Sequence, residues 1–314
     1  MKLGIDMGGM SIKMGLVNEE NKIIGRITIP TDLTVPYQVL VERMADAVQQ
    51  MLENAGMTLE QCGGIGIGSP GTIDAKQGVI LYSNNFGWEN VPIVEELKKH
   101  LDTRIEIAND ADAAALGEVC AGAAEGAENA VLLTLGTGVG GGVILDKKIF
   151  RGAMPGGCEL GHLSIRYDGI RCTCGRKGCL EAYASASALL RIAREKSAEH
   201  PESIMNEMCG NDLEQMNGKI PFDAAKAGDE AGMETVKEYE GYLACGIANV
   251  INTFRPEKVI LGGGVAAQKD NLTAPLKDLV KDMCFGGSHG HIADIVTSVL
   301  GNDAGIIGAA NLVV

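Results

Sequence analysis

Lys2-Leu3-Gly4-Ile5-Asp6-Met7-Gly8-Gly9-Met10-Ser11-Ile12-Lys13-Met14-Gly15-Leu16-Val17 opens the chain with an apolar run that reaches Asp6, turns on two glycines and resumes apolar alternation to Val17. This is the pattern of a β-hairpin with a glycine turn at its tip. Gly8 and Gly9 let backbone amides approach an anion closely, Ser11 adds a hydroxyl and Lys13 a cation. The same residues suit a ligand-free hairpin turn, so the loop alone leaves both readings open. Asp6, at the end of the strand and beside this loop, is placed to hold Mg²⁺ through water.

The motif of a strand running into glycines recurs twice. Ala130–Leu135 is a fully apolar strand ending in Gly136-Thr137-Gly138-Val139-Gly140-Gly141-Gly142, followed by a strand over Val143–Leu145, and Val259-Ile260-Leu261 runs into Gly262-Gly263-Gly264. The second loop lacks the Lys of a Walker loop, and neither a following helix nor a ribose-binding carboxylate supports a dinucleotide fold. A further buried strand, Gly63–Gly68, opens into a turn set by Pro70 and Gly71 and ending at Asp74.

Arg104–Ala108 reads as a short strand that delivers Asn109-Asp110-Ala111-Asp112 at its carboxyl end, where open α/β sheets bind ligands. Asp110 is the candidate general base, and Asp112 the candidate cap of the Ala-rich helix that follows. Apolar spacing of three and four predicts helices over Tyr37–Ala55, Val91–Leu101 (Pro92 in its first turn), Ala182–Arg194, Ala231–Phe254 and Leu272–Met283. Small residues from Gly301 to Ala310 predict a close-packing terminal helix after a strand near Ile295–Val299. Ala198–Asp223 reads as irregular. Tyr82–Trp88 carries amides suited to hydroxyl recognition, with Trp88 itself read as packing. His289 and His291, flanked by glycine, read as a solvated loop.

One segment carries metal chemistry. Glu159-Leu160-Gly161-His162 is followed by Cys172-Thr173-Cys174-Gly175-Arg176-Lys177-Gly178-Cys179-Leu180-Glu181, which offers one imidazole and three thiolates from a short stretch. A closed structural Zn²⁺ site takes four such ligands. The nine cysteines are an odd number, which argues for reduced thiols rather than a disulfide framework.

The chain has 314 residues, 46% of them hydrophobic, with 43 Gly and 9 Pro, the composition of a folded chain long enough for two domains. Its formal net charge of −14 repels nucleic acid and anionic membrane surfaces, so neither is an expected partner. No stretch reads as a signal peptide or a membrane span, and a cytoplasmic location is expected.

Taken in order, Asp6–Lys13, Gly68–Asp74, Asn109-Asp110, Gly136–Gly142, Glu159–His162, Cys172–Glu181, Leu261–Val265 and Gly301–Ala310 resemble the ROK family, most of all its bacterial glucokinases, over essentially the whole chain. The resemblance implies an actin-like ATPase fold, two ribonuclease-H-like α/β domains around a cleft. Residues 1–115 with 298–314 are expected to form the smaller domain and 116–297 the larger. It implies transfer of the ATP γ-phosphate to O6 of a hexose, glucose first, at the start of glycolysis, by a homodimer or homotetramer. The alternatives are a kinase of an N-acetylhexosamine or another hexose and, less favoured on the acidic charge and the absence of a helix-turn-helix ahead of Asp6, a sugar-responsive repressor.

Carried over by position, Asp110 is the base, with Asn109, Gly71, Asn85, Glu159, His162 and Glu181 on the sugar. Gly8, Gly9, Ser11, Lys13, Thr137 and Gly138 surround the phosphates, with Asp6 and Mg²⁺ beside them, and Gly262, Gly263 and Gly264 the adenosine. His162, Cys172, Cys174 and Cys179 hold structural Zn²⁺. Two residues depart from the family pattern: Met10 stands where a Thr is usual, and Cys158 where a Gly is common.

Overall fold

The computed structural model describes residues 1–290 and 292–313. His291 lies outside the described residues, while His289 is exposed. The chain divides into two compact units. The first comprises Met1–Leu132, Gly142–Cys158 and Val299–Val314, the second Leu133–Gly141 and Glu159–Ser298.

In the first unit, β1 (Lys2–Met7), β2 (Ser11–Val17) and β3 (Ile23–Pro30) form an antiparallel meander. Helix α1 (Tyr37–Asn54) buries Leu40, Val41, Met44, Val48 and Met51, the stripe that its three-and-four spacing predicts. Strand β4 (Ile65–Ser69) pairs in parallel with β1 and is buried throughout. Three short strands, β5 (Thr72–Asp74), β6 (Val79–Ser83) and β7 (Trp88–Val91), make a small antiparallel sheet. Helix α2 (Ile93–Lys98) and strand β8 (Ile105–Asn109) follow, and β8 completes the sheet order β3-β2-β1-β4-β8.

Helix α3 (Asp110–Ala121) leaves the carboxyl end of β8 directly, and the terminal helix α10 (Asp303–Ala310) packs against α3, β1 and β4. This packing is backbone against backbone. A Cβ on Gly66 would overlap the Ala309 carbonyl oxygen, and one on Gly308 would overlap that of Ala113. The small-residue run at the C-terminus is thus a packing surface rather than merely a permissive one.

The chain passes between the units within β9 (Ala130–Leu135) and β10 (Val139–Leu145). β11 (Lys148–Ile149), β12 (Lys258–Gly262) and β13 (Asp294–Thr297) complete a second sheet, in the order β11-β10-β9-β12-β13. Its helices are α4 (Glu181–Ala184), α5 (Ala186–Glu199), α6 (Ile204–Met208), α7 (Ile220–Lys226), α8 (Glu230–Phe254) and α9 (Asp270–Met283).

Four expectations need correction. The helix expected over Val91–Leu101 is shorter, because Val91 pairs with Ile80 in the sheet and Pro92 caps the helix from outside. The helix expected over Ala182–Arg194 breaks at buried Ser185, whose Oγ accepts from the Ala188 amide at 3.0 Å and starts a new helix. The supposedly irregular Ala198–Asp223 contains α6 and the start of α7, held by a cluster of Met205, Cys209, Met216, Ile220 and Ala224. The cap of α3 is Asn109, not Asp112. Asn109 has extended backbone and its Oδ1 accepts from the Ala111 amide, whereas Asp112 lies buried in the first turn.

Gly66→Ala is expected to lower unfolding stability by about 1–3 kcal/mol or more, because the added methyl must displace backbone. Gly241→Ala in α8, where a Cβ meets nothing within 4 Å, is expected to raise it by about 0.5–1 kcal/mol. Urea denaturation of both variants checks the pair.

Candidate active site

In the first unit, strand ends and one helix start bring the expected polar groups together. Asp6 and Lys13 are cross-strand partners on β1 and β2. The turn between them closes with the Gly8 amide donating to Ser11 O at 3.0 Å, while the Thr31 hydroxyl donates to Gly8 O at 2.6 Å. A Cβ on Gly9 would meet only Asn85 Nδ2, at 4.0 Å, so this side of the turn is open toward Asn85. Met10 is 91% exposed and contributes no buried contact.

Parallel pairing sets Asp6 beside Gly68, and Ser69 beside Asn109. Asn109 Nδ2 donates to Gly71 O at 3.1 Å, which ties the β8 end to the β4–β5 turn. Gly71 has φ +120°, and a Cβ there would collide with the Tyr82 carbonyl, so only glycine fits. Trp88 packs on Phe86 with ring centroids 4.9 Å apart, the packing role expected of it.

Burial governs the two central carboxylates. It pushes the Asp6 carboxyl up to about 6, against the pull of Lys13 and with help from the Asp110 charge. Burial also raises Asp110, partly offset by the Ala111 amide that donates to its Oδ1 at 2.9 Å. A Cβ on Gly305 would lie 2.8 Å from Asp6 Cγ, so the backbone of α10 presses on this carboxylate.

In the second unit, Glu159 precedes a single 3₁₀ turn, Leu160–His162, and Gly161 abuts the Val139 carbonyl. The loop after it doubles back through bridges between Ser164 and Cys179 and between Arg171 and Lys177. His162, Cys172, Cys174 and Cys179 offer donor atoms that all lie within 4.8 Å of one another. Cys174 and Cys179 Sγ are 3.7 Å apart, and His162 Nδ1 is 3.8 Å from Cys172 Sγ. A tetrahedron built on metal–sulfur bonds of about 2.3 Å has edges of about 3.8 Å, so donor type and spacing both fit zinc.

Glu181 links this cluster to the second glycine loop. Its Oε2 accepts from the Val139 amide at 3.0 Å, and its Oε1 accepts from Thr173 Oγ1 at 3.1 Å and Cys172 Sγ at 3.4 Å. A Cβ on Gly138 would collide with that carboxylate. The loop is tied further by the Ala186 amide on Gly136 O and by Ser187 Oγ on Thr137 O. At the third glycine turn, a Cβ on Gly263 would lie 2.5 Å from Leu135 O.

Gly264 lines a cavity of about 500 Å³ together with Gly218, Lys219, Asp223, Lys226 and Asn271. Sequence reading missed these flanking residues, because Gly218–Lys226 carries no motif and meets Gly264 only through tertiary packing. In the first unit a cavity of about 510 Å³ joins Asn109 and Asp112 to the loop Arg151–Gly157, another contribution without a local signature.

Two α/β units, glycine turns at strand ends and a Cys₃His knuckle define a class, and the comparisons agree with it. The ROK family pattern matches residues 2–314, and the chain belongs to that family. It is 37% identical over 312 residues to a glucokinase of Thermotoga maritima, covering 99% of this chain and 96% of that one. Among solved structures it resembles a ROK family glucokinase from Streptomyces griseus in complex with glucose and AMPPNP, with TM-score 0.78, 31% identity and coverage of 99% and 98%. A ROK hexokinase from Thermus thermophilus gives TM-score 0.80 at 31% identity, covering 99% of this chain and 97% of that one. The fold is the actin-like ATPase fold of ROK sugar kinases, as the sequence motifs implied. Among the described residues no helix is long and apolar enough to cross a membrane.

Asp6 makes a pH prediction for metal-free protein. Its folded value of about 6 exceeds the unfolded 3.8, so the folded state holds this proton more tightly. Its contribution to stability is full below about pH 4 and is lost as pH rises through 6. Asp6→Asn is therefore expected to exceed the parent in stability above pH 6, by about 1–3 kcal/mol, and to approach it near pH 4. Urea melts at pH 4 and pH 8 in chelator measure this, and an Asn variant weaker than the parent at pH 8 would contradict it.

Proposed function

We propose that this protein is an ATP-dependent hexose kinase, a glucokinase that transfers the γ-phosphate to O6 of glucose with Asp110 as general base. The observation that carries the proposal is the position of Asp110. It is a buried carboxylate at the start of α3 and the carboxyl end of β8, with Asn109 beside it and Asp6 and Lys13 close by in the same unit. Phosphoryl transfer asks for positioning, charge neutralisation and a proton acceptor for the hydroxyl. Burial raises the proton affinity of Asp110, so placement and basicity act together.

Asn109, Gly71 and Asn85 from the first unit, and Glu159, His162 and Glu181 from the second, are the proposed sugar contacts. Gly8, Gly9, Ser11, Lys13, Thr137 and Gly138 are the proposed phosphate contacts. The cavity of about 500 Å³ beside Gly264 supports the adenosine assignment of Gly262 to Gly264. Asp6 is the carboxylate proposed to hold Mg²⁺, which neutralises phosphate charge when bound. His162, Cys172, Cys174 and Cys179 are the proposed zinc ligands, and the ion closes their loop. With His162 Nδ1 turned to Cys172, its Nε2 is left for the sugar. Assembly as a homodimer or homotetramer in the cytoplasm belongs to the same proposal.

A coupled ADP-release assay over glucose, mannose, fructose, N-acetylglucosamine and N-acetylmannosamine tests this reading. Glucose is expected to give the highest kcat/KM, and Asp110→Asn to lower kcat by at least about 10²-fold. No turnover on any sugar would end the kinase reading, and a preference for an N-acetylhexosamine would move it within the family.

Zinc is tested separately. Metal analysis is expected to find about one zinc per chain, and Cys172→Ser to lose both the metal and calorimetric glucose binding. Parental glucose affinity in that zinc-free variant would break the link between ion and sugar.

A further inference from the structure

Glu118 lies on α3 two turns beyond Asp110 and is fully buried. Its carboxylate meets backbone amides from two places in the chain. Oε2 accepts from Ala123 N at 2.8 Å, just past the end of α3. Oε1 accepts from Val299 N at 3.2 Å and from Leu300 N at 3.1 Å, with Oε2 3.3 Å from Val299 N as well. A Cβ on Gly122 would collide with this carboxylate, so the turn after α3 is built around it.

Val299 is where the chain re-enters the first unit. The preceding residue still belongs to the second sheet, since Ser298 N donates to Leu261 O at 2.8 Å. Within two residues, therefore, the backbone passes from β12 to Glu118, and α10 begins at Asp303. What α10 touches gives the clamp its reach: Gly305 presses on the Asp6 carboxylate, and Gly308 and Ala304 abut Ala113 and Gly117 of α3.

We infer that Glu118 is a positioning residue. Its carboxylate clamps the Val299–Leu300 junction to α3, and so sets α10 against the Asp6 carboxylate and against α3, the helix that begins at Asp110; the proposed kinase reaction uses both carboxylates. The role rests on that kinase reading, but the clamp itself does not. Three converging N–H donors in a buried place need an acceptor with several lone pairs and no proton of its own, which a carboxylate is and an amide is not. Glu118→Gln keeps the volume and turns an NH₂ toward those donors. Errors of about 1 Å in the placement of catalytic groups lower rates by up to about 10²-fold.

The test uses the full chain with Glu118→Gln and, as a second variant, Val299→Pro, which deletes one donor and leaves the carboxylate. Hydrogen exchange over residues 296–304 and 119–125, steady-state kinetics and circular dichroism are measured for each. Glu118→Gln is expected to speed exchange at Val299 and Leu300 at least about tenfold and to lower kcat per folded molecule about 10- to 100-fold, with the KM for glucose within about twofold. The double variant is expected to be no slower than Glu118→Gln alone, because both changes remove one interaction. Parental exchange at 299–300 would overturn the clamp. A lowered melting temperature with unchanged kcat, or rate losses that add in the double variant, would overturn the positioning role. If the parent phosphorylates no sugar, the kinase reading fails while the exchange measurements still decide the clamp.

Discussion

The first unit depends on one constraint, the approach of the terminal helix α10 to its neighbours at backbone distance. Glycines accept it on every side: Gly4 in β1, Gly66 in β4, Gly117 in α3, and Gly305 and Gly308 in α10 itself. Ordinary helix packing, with interaxial distances of 8–10 Å, keeps side chains between backbones. Here the side chains are absent and carbonyls face Cα atoms. The dispersion gained is large because no space is lost, and the tolerance for added volume is correspondingly small. The same closeness lets α10 contribute to the surroundings of Asp6 without supplying any side chain. Helix placement thereby adds to the burial that raises the pKa of that carboxylate.

The second unit is organised by a different device, a carboxylate rather than a helix. Glu181 receives the Val139 amide on one oxygen and the Thr173 hydroxyl on the other, which the Cys172 thiol also reaches in the metal-free chain. A shift of the cysteine loop would therefore be felt at the glycine loop through a single side chain. Both expected roles of this segment, ion binding and ligand binding, share that link. The two units thus use one principle at Glu118 and Glu181: a carboxylate accepts donors from two chain segments that must keep a fixed spacing.

Much of this was legible in the sequence, and the part that was not has a common cause. The stripe of α1, the hairpin at Gly8-Gly9, the strands entering glycine and the Cys/His spacing are local patterns, and each occurs where its residues predict it. The cluster of His162 with three cysteines was readable because metal ligands must be close whatever surrounds them. Ser185, α6 and the cap of α3 were misread because tertiary packing, or competition between adjacent polar residues, decides them. Asn109 and Asp112 are both good caps in isolation, and the β8 register that puts Asn109 beside Ser69 chooses between them. Lys219, Asp223 and Asn271 come to one cavity only through the fold, and no window of sequence holds that information.

Met10 shows the same reasoning at a single position. The family pattern sets a hydroxyl residue there, which would suggest a weakened loop. In the structure the turn is fastened by groups that Met10 does not supply, namely the Gly8 amide on Ser11 O and the Thr31 hydroxyl on Gly8 O. Met10 takes part only through its carbonyl, which accepts from the Thr31 amide at 3.1 Å, and any residue offers a carbonyl. Its side chain is almost wholly exposed, so the substitution neither fills nor empties a packed space. The fastening hydroxyl comes from just past the end of β3, and the turn closes without a Thr at its tip.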